Sequence, residues 1–258
     1  MFFTRSVATL LVSLGLSTAC QSAQAEVLEQ WVLEQNYEGK GDVRVVIAAN
    51  AVAVYNKQSN YKAVVKAPDY KVHVFRSDRK TEWTGPLKRF NGKMLSDPIG
   101  SDSTGTNIIK PGSTGQIKGL KYLRYFDPNS KHEILGAADI VTTPQVSEFL
   151  CRYFDCPVLN KVPLSFTFDK AAATLAKPKT VWLDINVLRS TRSGRITKLS
   201  TTNWKKSPYQ QNEFALPQNY KQISALTDIT FSPGQQEAFT EALDGLGFTT
   251  DIDKLRKK

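Results

Sequence analysis

Between residues 42 and 76 the chain sets down four short runs rich in Val, Ile, Tyr and Phe: Asp42–Ala48, Ala51–Asn56, Tyr61–Lys66 and Lys71–Arg76. Ala49-Asn50, Lys57–Asn60 and Ala67–Tyr70 separate them. Runs this short, β-branched and punctuated by Asn, Ser, Pro and Asp, specify an antiparallel meander rather than helices. Val72 and Val74 alternate with Lys71, His73 and Phe75, the pattern of a sheet with one solvated face. Asp78–Trp83 extends the meander as a fifth strand.

The remaining segments are read around that sheet. In Glu26–Gln35, the residues Val27, Leu28, Trp31 and Val32 fall on one face at helical spacing, which predicts a short amphipathic helix. Residues 86–119 are crowded with Gly, Ser and Thr and read as a long loop, a length usual for lids and binding loops. Leu120–Phe126 and Lys131–Val141 are strand candidates on either side of Asp127-Pro128-Asn129. Thr143 caps a helix that begins at Pro144, with Val146, Phe149, Leu150, Tyr153 and Phe154 on its apolar face. Val162–Asp169, Thr180–Leu188 and Arg195–Thr202 read as strands, and Asn212–Lys221 leads into a final one. Ser232-Pro233-Gly234-Gln235 opens a C-terminal helix over residues 233–246. Strands dominate without strand–helix alternation, so the expected class is mainly β (α+β). The expected architecture is a single curved antiparallel sheet, a half-barrel, with two or three packed helices.

The chain is 258 residues, 41% hydrophobic and 22% charged. That balance excludes general disorder, and residues 26–258 read as one β-rich domain. Arg5 is the only charge before Glu26; the apolar run Val7–Leu16 follows it, then Ala23-Gln24-Ala25. This is the layout of a secretory signal peptide over residues 1–25, cleaved between Ala25 and Glu26. Ser17-Thr18-Ala19-Cys20 has the form of a lipobox, the alternative processing site, with Cys20 lipidated. The expected address is therefore periplasmic or secreted, with a lipid anchor at Cys20 as the variant form. Cleavage leaves Cys151 and Cys156, and an oxidising compartment favours their pairing as a disulfide.

Formal net charge is +10. Between Lys57 and Lys93 the only acids are Asp69, Asp78 and Glu82, so Lys62, Lys66 and Lys71 are read as a basic sheet face. Such a face suits anionic partners, an anionic membrane surface among them, and export argues against nucleic acid. Catalytic signatures are missing from the sequence. It contains no Gly-x-Ser-x-Gly elbow, no His-Glu-x-x-His, and two histidines only, His73 and His132. Neither histidine has ligand spacing to the cysteines, and no phosphate-binding glycine loop is present. A non-enzymatic monomer without cofactor or metal is expected.

Three segments together carry a resemblance: Asn60 to Arg76, the helix and strand through Pro157 and Val162-Pro163-Leu164, and Glu213-Phe214-Ala215-Leu216-Pro217-Gln218-Asn219-Tyr220-Lys221. With them the chain resembles the periplasmic outer-membrane lipoprotein-carrier superfamily. The resemblance implies a strongly curved, unclosed sheet plugged by helices, and a lipid or lipoprotein acyl chain as ligand. On this reading Val45, Ile47, Val64, Val74, Trp83 and Trp182 are the candidate cavity residues. The alternative function is an envelope interaction protein that works through the basic face.

Overall fold

A computed structural model of the chain describes residues 28–96, 110–127, 131–169, 194–231 and 241. The signal-peptide and lipobox calls lie outside these residues. So do Trp182, the strand expected at residues 180–188 and the C-terminal helix expected at 233–246. Within the described residues the fold is one open mixed sheet of twelve strands with few helices. In chain order the strands are β1 Glu29–Tyr37, β2 Gly41–Ala48, β3 Ala51–Asn56, β4 Tyr61–Lys66, β5 Val72–Arg76 and β6 Thr81–Gly85. They continue with β7 Lys110–Ile117, β8 Leu120–Asp127, β9 His132–Ala137, β10 Pro163–Asp169, β11 Arg195–Pro208 and β12 Lys221–Gln222. Across the sheet they lie in the order β12-β6-β5-β4-β3-β2-β1-β11-β10-β9-β8-β7.

The meander from β2 to β6 forms as its alternation dictates. Val45 opposes Val54, Val54 opposes Ala63 and Ala63 opposes Val74. This row faces one side of the sheet, here called the inner face. The opposite, outer face carries Val46, Ala53, Val64 and Phe75.

Four expectations are corrected. Glu26–Gln35 is not a helix: from Glu29 the chain is the central strand β1, held by β2 on one side and β11 on the other. Both faces of β1 are covered, with Leu33 and Val32 buried on opposite sides, and a strand buried on both faces loses clean alternation. The Gly/Ser/Thr-rich stretch is not all loop. Leu87–Arg89 and Gly92–Leu95 form short 3₁₀ turns, and Lys110–Ile117 is edge strand β7. The sheet is mixed rather than wholly antiparallel, because β12 runs parallel to β6. Thr143 stands at the N-cap of helix α1 (Pro144–Tyr153), but its side chain makes no capping hydrogen bond.

Helix α1 buries Val146, Phe149, Leu150 and Tyr153 against the inner face. Phe90 of the first 3₁₀ turn region stacks on Phe149 at 5.2 Å between ring centroids, and Trp83 packs on Phe90 at 6.2 Å. Gly92 sits where a Cβ would come 2.5 Å from the Cα of Tyr153, so only glycine lets the second 3₁₀ turn abut the end of α1. A short helix α2 (Thr227–Thr230) buries Ile229 in the same core.

On the outer face, the segment after β11 lies across the sheet as a strap. Tyr209 and Phe214 stack at 5.5 Å, and Tyr220 meets Phe75 edge-on at 6.1 Å. The strap ends in β12, where Lys221 N donates to Lys80 O at 2.8 Å and Ile223 N donates to Glu82 O at 2.9 Å.

Candidate functional site

The β1–β2 turn and the exit of α1 build an unusual polar cluster inside the sheet. Gly39 and Gly41 both have left-handed φ, +87° and +68°, and flank Lys40. That backbone turns Lys40 inward, where it is buried. Its Nζ donates to the carbonyl of Tyr153 at 2.5 Å, the last residue of α1, where helix carbonyls carry partial negative charge. The same ammonium lies 4.2 Å from the Tyr153 ring centroid and 4.9 Å from that of Tyr37. Burial lowers its pKa to about 7, with Lys198 pushing the same way and Asp155 opposing.

Beyond Tyr153 the chain turns back. Asp155 takes a left-handed φ of 46° and Cys156 N donates to Cys151 O at 3.0 Å, a Schellman closure. This brings Cys151 and Cys156 to 3.9 Å without bonding them. The expected disulfide is not formed: both thiols are free and buried. The hydrogen bond to Cys151 and burial push the Cys156 thiol well up. Asp155 pairs with Lys198 Nζ at 3.6 Å, and Lys198 also lies across Phe168, 5.2 Å from its centroid.

From Lys198 an apolar stripe continues over β8 to β11. Phe168 opposes Ile196, Phe166 opposes Ile134, and Ile134 opposes Tyr125. The His132 ring meets Phe166 and Phe168 edge-on at 5.6 and 6.3 Å. Burial lowers the His132 pKa, with Lys198 adding to the shift and Asp127 opposing it. Among the described residues its Nδ1 is buried with no hydrogen-bond partner. Phe166 and Ile134 are buried, whereas Tyr125, His132, Phe168 and Ile196 stay half-buried. Over β2–β5, by contrast, the inner face is filled by the aromatic side chains of α1 and the 3₁₀ turns.

The residues expected to line a cavity divide. Val45, Ile47 and Val74 share the inner face and are fully buried, and Trp83 is half-buried beside Phe90. Val64 opposes Ala53 on the outer face and belongs to no inner cavity. The basic residues divide as well. Lys62 is half-buried on the outer face, over the rings of Tyr55 (4.8 Å) and Phe75 (5.7 Å). Burial lowers its pKa to about 8, against the pull of Glu213. Lys66 and Lys71 lie at the β4–β5 turn, where Lys71 pairs with Asp69 at 3.6 Å. The three do not form one face.

His73 Nδ1 lies 2.6 Å from Glu82 Oε1, and Gln222 Nε2 donates to the other oxygen at 2.9 Å. This cluster ties the strap's end to β5 and β6. Among the described residues, no group of three or more His, Cys, Asp or Glu side chains is placed to hold a metal ion. Nor, among them, is any helix long and apolar enough to cross a membrane. The sequence reading missed Lys40 and Lys198. The Gly39-Lys40-Gly41 flank was the available signal for the first; the second depends on a register shift in β11 that sequence does not display.

No protein-family model and no curated protein matches the chain. Among solved structures it is similar to an uncharacterized conserved protein from Thermus thermophilus, at 9% identity and a TM-score of 0.39, over 75% of this chain and 89% of that one. It is also similar to PNGF-II in two crystal forms, at 12% identity and a TM-score of 0.40, over 80% of this chain and 33% of that one. Neither likeness is close enough to transfer a fold or an activity.

Proposed function

We propose that the chain is an exported, non-enzymatic carrier that holds an apolar ligand, a lipid or a lipoprotein acyl chain, on the inner face of a half-barrel sheet. One observation carries the reading: the half-buried stripe of Tyr125, His132, Phe168 and Ile196 across four adjacent strands, bordered by Lys198. A stripe of this kind offers an alkyl chain apolar contact and, at its end, a cation that a negative head group would share with Asp155. Curvature is supported by Trp204 Nε1, which donates to Lys118 O at 2.7 Å. Lys118 lies in the β7–β8 turn, and β9 and β10 lie between β11 and β8 in the sheet order, so a flat sheet holds β11 and β8 about 14 Å apart. The inner core over β2–β5 acts as the plug, and the ligand lies on the β8–β11 half. The resemblance to the lipoprotein-carrier superfamily belongs to this proposal.

The test is ligand uptake by the full chain. Fatty acids of increasing length should bind about fourfold more tightly per methylene, from about 0.8 kcal/mol per buried CH₂. Phe168→Asp and Ile196→Asp should each weaken binding tenfold or more while leaving the circular dichroism spectrum unchanged. Protein recovered from its own host without acyl species, and inert to a fluorescent fatty acid, overturns the proposal.

A further inference from the structure

One end of the sheet collects a second set of residues, remote from the inner stripe. The strand registers bring together the start of β1, the end of β2, the end of β4 and the end of β11. Lys118 joins them, since its carbonyl accepts from Trp204 and its Nζ donates to Thr202 O. Residues 141–143 join through Thr143 N, which donates to Ala49 O at 2.8 Å, and Leu28 joins through its carbonyl, which accepts from Tyr209 N at 2.8 Å.

This end is both basic and apolar. It carries Lys66, Lys71, Lys118, Lys121, Lys205 and Lys206, which outnumber its acids Glu29, Asp69 and Asp139. Among the lysines stand the largest exposures of aliphatic side chains in the described residues: Val141 at 78% and Leu28 at 67%. Beside them Trp31 and Trp204 are half-buried, their rings 5.5 Å apart, and Lys206 Nζ lies 4.7 Å from the Trp31 centroid.

Paired tryptophans with one lysine laid over them, Lys206, which also pairs with Glu29 at 3.0 Å, next to protruding Leu and Val, match the chemistry of a membrane–water boundary. Trp rings settle at head-group depth. Lysine stems lie along apolar surface while their ammonium groups reach outward. Several lysines near an anionic bilayer add attraction of about 1 kcal/mol each. An acidic protein or a nucleic acid would use the lysines but would give Leu28 and Val141 no apolar phase to enter. We infer that this end of the sheet is a docking surface for an anionic lipid bilayer, with Leu28, Val141 and the Trp31–Trp204 pair as anchors. The inference is independent of the ligand proposal, since a docking end needs no occupied inner face.

The test is flotation of the full chain with phosphatidylcholine vesicles, with and without phosphatidylglycerol. Binding should require the anionic lipid. The triple variant Lys121→Gln, Lys205→Gln, Lys206→Gln should lose about a hundredfold in partitioning, at about fivefold per lysine. Leu28→Ser with Val141→Ser, both on exposed positions, should also weaken binding without affecting folding. Brominated lipid should quench tryptophan emission, less so in Trp204→Phe. Equal binding to neutral vesicles, or binding that ignores the lysine variant, overturns the inference. So does salt-sensitive capture by polyglutamate without lipid quenching, which would mark the surface as a site for an acidic macromolecule. Fatty-acid uptake by the lysine variant, measured separately, distinguishes loss of docking from loss of ligand binding.

Discussion

Lys40 and Tyr153 lock the first hairpin of the sheet to the exit of its main helix: the Lys40 Nζ donates to the Tyr153 carbonyl and lies 4.2 Å from that residue's ring centroid. Tyr153 OH is in turn 2.8 Å from Tyr61 OH, and Asn56 Nδ2 donates to Lys40 O at 2.9 Å. The first hairpin, β3, β4 and α1 therefore meet around Lys40.

That amine sets a pH dependence. Its folded pKa of about 7 lies below the ordinary 10.5. Between those values the unfolded chain binds a proton that the folded chain does not, so stability climbs with pH across the window and is lowest below about 7. Lys40→Met should abolish this contribution. The stability of the native chain minus that of the variant, from urea melts at pH 7 to 9, should rise by about 1.4 kcal/mol per pH unit. A parallel pair of profiles would show that Lys40 is not the titrating group.

The strap should depend on Glu213. Arg44 Nη2 donates to Glu213 Oε1 at 2.6 Å, and Tyr55 OH donates to Oε2 at 2.5 Å. The Arg44 hydrogen bond holds the Glu213 carboxyl below its usual range, aided by Tyr55. A depressed carboxylate contributes stability above its unfolded pKa and loses it as pH falls through the folded value. Glu213→Gln should cost about 1.5–3 kcal/mol near neutrality, the range for hydrogen bonds to charged groups. The gap from the native chain should narrow below about pH 4. Denaturant melts at both pH values check this.

Gly92→Ala should destabilise by about 1–3 kcal/mol, the cost of overpacking. The new methyl meets the backbone of Tyr153 and Arg152 rather than a side chain that can swing away. A thermal melt of the variant measures it, and an unchanged Tm would mean that the 3₁₀ turn shifts freely.

Cys151 and Cys156 should resist alkylation in the folded, reduced protein. Both are buried, and the raised Cys156 pKa suppresses its thiolate, the reactive form. Mass mapping after iodoacetamide should find both unmodified at pH 8 and both labelled in urea. Rapid labelling of either in native buffer would place that thiol at the surface.

The meander was legible because its information is local. Turn residues and period-2 alternation lie within each run, and β3 and β4 keep the expected ends, Ala51–Asn56 and Tyr61–Lys66. α1 was equally legible from Pro144 and its apolar spacing. β1 was not. Trp31 and Val32 fit a helical face as well as they fit a strand, and only pairing with β2 and β11 decides between them. Parity explains Val64: one position from Ala63 moves a side chain to the other face of the sheet. β7 hid behind Pro111, Gly112 and Gly115, residues that suit a sheet edge better than an interior. The lysines at the docking end come from sequence positions as distant as 66 and 206, so the charge was countable but its address was not.

β12 lies beside β6, although about 140 residues of chain separate them, from Thr81 to Lys221. During N-to-C synthesis, the first six strands can therefore form long before the strand that seals their border exists. Until residue 221 emerges, the rim of β6 and the row Val46, Ala53, Val64 and Phe75 stay bare, and a bare strand rim invites pairing with other chains. The nascent protein thus has a vulnerable interval that closes only once residues 209–222 have been made, and truncations that remove them should favour aggregates over a smaller folded unit.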